Sequence, residues 1–272
     1  MSRCGVPEEH AILFNTKHGY CHHSEGMTVI IPVRGNDRNG SLLLAIQHIL
    51  AQNITPLEII VVEEDKESIV DLKKYKNHPH VRLIFIPSTT HFNKSKAVNC
   101  GVANAKYQFI SMSDVDMVLE KTMLWNIYNR LLTYSVCFTI KEIYYLEDMP
   151  YQTPYIHNGQ PWSSRAKFYC HGGNVSFKRD RFIKIGGMNE IFVGHGSEDT
   201  EFYLRAKKLL GCSDERFNTC LHMPHAATHT PFQVKKNAQI LDSLKNSGNW
   251  GDIAEILQFE YNKKWGSIQP SL

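Results

Sequence analysis

Asp114-Val115-Asp116 follows an apolar run directly. Alternate residues of an extended segment point the same way. A bend after a strand then lets two carboxylates reach one cation and its water shell. Mg2+ and Mn2+ favour such oxygen ligands and share their shell with substrate phosphates. Cys220-Leu-His-Met-Pro-His225 sets two imidazoles, His222 and His225, three residues apart around a proline, with His229 nearby. Imidazole ligates Mn2+ as well as Zn2+. The third constellation is His171-Gly-Gly-Asn174 together with Gly194-His-Gly-Ser-Glu-Asp199. Its glycines allow close backbone approach to a ligand. Each feature has a plain structural alternative. A DxD also suits a solvated turn, and a lone histidine is often structural. Glu198 and Asp199 at a helix start either complement the helix dipole or supply a general base.

Several familiar chemistries lose support. Gly35 to Ser41 has the glycine spacing of a phosphate-binding loop but lacks its lysine. There is no G-x-G-x-x-G, HExxH or G-x-S-x-G. Residues 1–26 carry Cys4, Cys21, His10, His18, His22 and His23, at spacings that fit no standard zinc pattern. They read as an irregular arm packed on the domain.

The elements that must position these groups alternate. Thr28-Val-Ile-Ile-Pro-Val33, Leu57-Glu-Ile-Ile-Val-Val62, Val81-Arg-Leu-Ile-Phe-Ile86 and Tyr107-Gln-Phe-Ile-Ser-Met112 read as buried strands. Helices are expected between them, over 42–51, 68–75 and 94–105. Four alternations imply a mostly parallel, doubly wound α/β sheet. Ligands of such sheets bind beyond the carboxyl ends of the strands. There the chain places Arg34-Gly-Asn-Asp37, Glu63-Glu-Asp65 and Ser113-Asp-Val-Asp116, which suit a cation, a sugar or a ribose. Further on, helix is expected over 120–132, 179–185 and 198–210, and strand over 136–140 and 174–177. A long loop is expected over 142–167, and two tail helices over 232–244 and 252–263. The division is an arm (1–26), a first half that ends just after the DxD (27–119), a second half (120–230) and a helical tail (231–272).

The 272 residues allow a sizeable core. A net charge of +3 disfavours a dedicated nucleic-acid binder. Seven cysteines without a CxxC suggest reduced thiols and a cytoplasmic location. No apolar run approaches the length of a transmembrane segment, and the first residues lack a signal-peptide core.

In combination these residues resemble the GT-A glycosyltransferases, especially those like family 2. Thr28 to Val33 is similar to their first strand, and Ile59-Ile-Val-Val-Glu-Glu-Asp65 stands where they carry VVDDGS. Lys96-Ala-Val-Asn-Cys-Gly101 is similar to their A-x-N-x-G helix, and Phe109 to Asp116 to their strand and DxD. Gly172 to Arg179, Gly186 to Glu190, Gly194 to Asp199 and then Cys220 to His225 resemble the C-terminal segment of galactosyltransferases. The chain departs from that pattern at Glu63 and Glu64, in place of aspartates. His195 and Ser197 stand in place of Trp and Gly.

The resemblance implies transfer of a hexose or N-acetylhexosamine from a UDP-sugar to a glycan or other hydroxyl acceptor, with inversion. Asp114, Asp116, His222 and His225 would hold Mn2+ or Mg2+ on the donor diphosphate. Asp199 would be the general base, with Glu198 bonding a sugar. The nucleotide-sugar would lie among Pro32, Arg34, Asn36, Glu63, Glu64, Lys96, Asn99, Asp114, Val115, Gly172 and Gly173. Tyr151, Tyr155 and Trp162 either stack on acceptor sugars or pack their own loop. The rival readings are a sugar-nucleotide nucleotidyltransferase, a non-catalytic nucleotide-sugar binder and a structural zinc protein.

Overall fold

The computed structural model describes residues 13–15, 20–35, 37–145, 165–168, 172–213, 215–225 and 230–266. Its first half runs β1 (Leu13–Asn15), β2 (Tyr20–Val33), α1 (Asn39–Leu50), β3 (Ile54–Asp65), β4 (Val81–Pro87) and α2 (Lys94–Asn104). Next come β5 (Phe109–Ser113), β6 (Met117–Leu119), α3 (Met123–Thr133), β7 (Val136–Cys137), β8 (Ile140–Tyr145) and β9 (Arg165–Phe168). The chain continues through β10 (Asn174–Lys178), α4 (Arg179–Lys184), α5 (Glu198–Leu209), β11 (Cys212–Ser213) and β12 (Asn218–His222). It closes with α6 (Pro231–Ser247) and α7 (Trp250–Trp265).

Alternation along the central strands creates two buried faces. Val29, Ile31, Ile59 and Val61 pack with Leu42 and Ile46 of α1 and Leu124, Ile127 and Leu131 of α3. Ile30, Ile60 and Val62 pack on the other face with Ala97 and Val98 of α2 and with Phe177, Phe182 and Phe202. Burial on both faces explains why these strands are apolar throughout. The large sheet has the order β11-β7-β10-β5-β2-β3-β4, with β1 also paired to β2. β2 is parallel to both β3 and β5, and β3 to β4, while β10 is antiparallel to β5. This is the expected doubly wound, mostly parallel α/β sheet. A second sheet, β6-β12-β8-β9, stands beside it.

Four local expectations change. The first strand begins at Tyr20 rather than near Thr28, and an irregularity between His22 and Met27 separates two stretches paired with β3. The helix expected over 68–75 shrinks to a 3-10 turn at Lys73–Tyr75. The buried Glu63 carboxylate accepts hydrogen bonds from the backbone N–H of Ile69 and Val70 and from Ser68 Oγ, which compete with helical bonding. The strand expected over 136–140 splits into β7 and β8, which belong to different sheets. Part of the expected 142–167 loop is strand, in β8 and β9, and residues 146–164 lie outside the described residues. Among the described residues no helix is long and apolar enough to cross a membrane.

Candidate functional site

The turn between β5 and β6 carries Asp114-Val115-Asp116. Asp114 N donates to Gly173 O at 2.9 Å and Met117 N to Asp114 O at 3.2 Å, while Val115 is buried in the core. The two carboxylates meet different partners.

Asp116 meets the imidazoles. β12 pairs with β6 so that His222 lies opposite Met117, and Met223 N donates to Asp116 O at 2.8 Å. Pro224 follows, and His225 returns towards the same carboxylate. His222 Nε2 is 3.6 Å from Asp116 Oδ1, and His225 Nε2 is 3.1 Å from Asp116 Oδ2. One ligand atom from each of the three residues lies within 4.8 Å of the others. Burial pushes the Asp116 carboxyl up, but His225, His222 and Arg38 outweigh it and hold it below its ordinary range. Burial lowers His222, against the pull of Asp116. An ionised carboxylate beside a neutral imidazole is the protonation state that metal binding requires. This donor set fits Mn2+ and similar divalent cations.

Asp114 meets Lys94, the first residue of α2. Lys94 Nζ is 2.8 Å from Asp114 Oδ1, 3.0 Å from Asp199 Oδ2 and 3.7 Å from Glu198 Oε1. One ammonium thus faces three carboxylates. Burial, with Glu198 and Asp114 adding to it, pushes Asp199 up to about 8 against the pull of Lys94. Burial alone would lower Lys94, but Asp114, Asp199 and Glu198 raise it well above its ordinary value. Glu198 Oε2 is buried and has no hydrogen-bond partner among the described residues. That arrangement can hold a proton acceptor and an unused carboxylate oxygen beside the cation centre.

The start of α5 holds Glu198 and Asp199 there. Arg205 is fully buried and donates to both Glu201 oxygens, at 2.7 and 2.8 Å, and to Gly187 O at 2.8 Å. A Cβ on Gly172 would sit 2.5 Å from Asp199 Oδ2, so any side chain there would have to displace that carboxylate. Ser197 precedes α5 with φ 77°, a left-handed conformation that glycine adopts without penalty.

The expected nucleotide residues divide. Glu64 accepts from Asn93 N at 2.6 Å and from Lys96 Nζ at 2.9 Å, which ties it to the start of α2. Arg34 donates to Thr90 O and lies 3.6 Å from Asp65. Pro32 is buried near the end of β2, opposite Val62 of β3. Asn99 is committed elsewhere: its side chain donates to Met188 O and Glu190 and accepts from Met188 N, at 2.8–2.9 Å. Glu63 serves the 68–70 segment. Thus Asp114, Asp116, Gly172, Gly173, Glu198, Asp199, His222 and His225 come together, whereas Glu63 and Asn99 are bonded into the scaffold. Asn36, Tyr151, Tyr155, Trp162, His171, His229 and the side chains of the arm lie outside the described residues.

Sequence reasoning missed Lys94 and Arg38. Arg38 Nη1 donates to Asp116 Oδ2 at 2.9 Å, and its Nη2 lies 3.2 Å from His225 Nδ1. For Lys94 a signal existed. A lysine in the first turn of a helix opposes the dipole, so carboxylates nearby must compensate.

Residues 28–189 match the family described as glycosyl transferase family 2. Residues 160–230 match the family described as the N-terminal domain of galactosyltransferase. The first match takes in more than half of the chain, and the chain belongs to glycosyl transferase family 2. No curated protein matches it in sequence. Among solved structures it resembles S. aureus TarS 1–349 in complex with UDP-GlcNAc, with a TM-score of 0.57 and 13% identity. That likeness covers 79% of this chain and 65% of TarS 1–349. A second structure of TarS 1–349 gives a TM-score of 0.53 and 16% identity, over 71% and 60% of the two chains. At such identities the likeness defines the fold, which is that of a GT-A glycosyltransferase.

Proposed function

We propose that this chain transfers a hexose or N-acetylhexosamine from a UDP-sugar to a hydroxyl of a glycan or other acceptor. The reaction uses a divalent cation and inverts the anomeric centre. The observation that carries this reading is the adjacency of two centres. Asp116, His222 and His225 form a cation-ready set. Asp114, next along the turn, leads through Lys94 to Asp199 and Glu198. Asp116, His222 and His225 would hold Mn2+ or Mg2+, with Asp114 beside them. A bound divalent ion neutralises charge developing on the departing diphosphate. Asp199 accepts the proton of the acceptor hydroxyl as the new bond to the anomeric carbon forms. The bond from that carbon to the diphosphate oxygen breaks, and UDP leaves. Glu198 Oε2 accepts a hydrogen bond from a sugar hydroxyl. Arg34, Glu64 and Lys96 border the nucleotide. Family membership supports transfer, and the TarS complex with UDP-GlcNAc supports a UDP-sugar donor. A reducing location such as the cytoplasm suits the described free thiols of Cys100, Cys137, Cys212 and Cys220.

The test is a panel of UDP-sugars with Mn2+ and varied saccharide acceptors, read by UDP release and by NMR of the new anomeric linkage. UDP release with an inverted linkage is the expected result. Pyrophosphate release would reassign the chain to nucleotidyl transfer, and donor binding without turnover would make it a binder.

A further inference from the structure

Arg38 has no part in the chemistry above, yet its guanidinium lies inside the cation centre. It donates to Asp116 Oδ2 at 2.9 Å, and its other terminal nitrogen is 3.2 Å from His225 Nδ1. A guanidinium is always protonated and only donates. Nδ1 of His225 therefore accepts, and the ring's proton sits on Nε2. That nitrogen faces Asp116 Oδ2 at 3.1 Å, as a donor to a carboxylate should. A cation held between Asp116 Oδ2 and this Nε2 would need its lone pair free. To free it, the proton must move to Nδ1, which then faces Arg38 donor to donor. A cation on Asp116 and His225 and a guanidinium on the same two residues exclude each other. At 21% side-chain exposure Arg38 has solvent into which it can withdraw.

We infer that Arg38 is a built-in competitor for the divalent cation: it neutralises Asp116 and fixes the His225 tautomer in the unloaded protein. The inference rests on the cation reading of the site. It makes Arg38 a positioning residue that lowers affinity for metal alone, so that the centre fills when the guanidinium is drawn away.

The experiment titrates Mn2+ into nucleotide-free protein, reading free Mn2+ by electron paramagnetic resonance. Wild type is compared with Arg38→Met and Arg38→Gln, whose folding is checked by circular dichroism. Mn2+ should bind both variants more tightly, by roughly tenfold, within the usual range of coupling between competing groups. Unchanged or weaker Mn2+ binding in both folded variants, with wild type binding normally, would overturn the role of Arg38 and leave the cation site standing. Absence of Mn2+ binding in all three proteins would overturn both.

Discussion

Lys94 is the sharpest point at which to perturb the site. Its ammonium contacts Asp114, Glu198 and Asp199, with side-chain exposures of 11% for Lys94, 9% for Glu198 and 14% for Asp199. Solvent therefore screens these charges little. Lys94→Met removes one partner and leaves carboxylates buried, a change that costs about 3–5 kcal/mol in comparable settings. Asp114 is 31% exposed and regains water, which favours the lower end, about 3 kcal/mol. At roughly 2 °C per kcal/mol for a chain of this size, the melting temperature falls by about 6 °C. The pH dependence has a definite sign. Asp199 keeps its proton up to about pH 8 in the folded chain. In the unfolded chain it loses the proton in the ordinary carboxylate range. The folded state thus binds more protons in between, and this group's contribution to stability falls as pH rises through that window. Without Lys94, Asp199 holds its proton more tightly when folded, so the deficit of the variant grows with pH. Urea denaturation of both proteins at pH 5.5 and pH 8.5 reads this directly. A deficit near 3 kcal/mol at the higher pH and a smaller one at the lower is expected. Equal deficits at the two pH values, or none, would refute the shared-ammonium account.

Asp199→Asn should cut transfer by about 10²–10⁴-fold while UDP affinity stays, in single-turnover and calorimetric assays. In the wild type, kcat/KM should rise with pH as Asp199 loses its proton near pH 8. Gly172→Ala would press a methyl to within 2.5 Å of Asp199 Oδ2. Transfer should drop by about 10²-fold through displacement of that carboxylate, with Mn2+ affinity measured by titration unchanged. Ser197→Gly should raise unfolding free energy by about 1 kcal/mol, because φ 77° no longer strains a side chain. Chemical denaturation checks this.

Much of the frame was legible because parallel strands buried on both faces are apolar throughout. Val29-Ile-Ile31 and Ile59-Ile-Val-Val62 announce themselves, and the acidic residues after them mark the ligand edge. The DxD, the late histidines and Glu198-Asp199 were readable as separate motifs, and the β6–β12 pairing is what joins His222 to Asp116. Other features depend on tertiary partners that no local pattern encodes. Glu63 stands just after a strand like a ligand-facing acid, but its partners are backbone amides of the following segment. Asn99 sits in a recognisable helix motif, yet its amide bonds a distant turn at Met188. The break at Phe138-Thr139 follows from two sheets competing for one apolar stretch, where Phe138 N bonds Ser213 O at 3.0 Å.

The most direct test concerns the divalent ion that Asp116, His222 and His225 are proposed to hold for the donor diphosphate. Calorimetric titration of UDP into wild type should give binding with Mn2+ present and at least about tenfold weaker binding with a chelator. In Asp116→Asn and His225→Ala, Mn2+ should no longer improve UDP binding. UDP binding that is equally tight with chelator, and unchanged in both variants, would contradict the account.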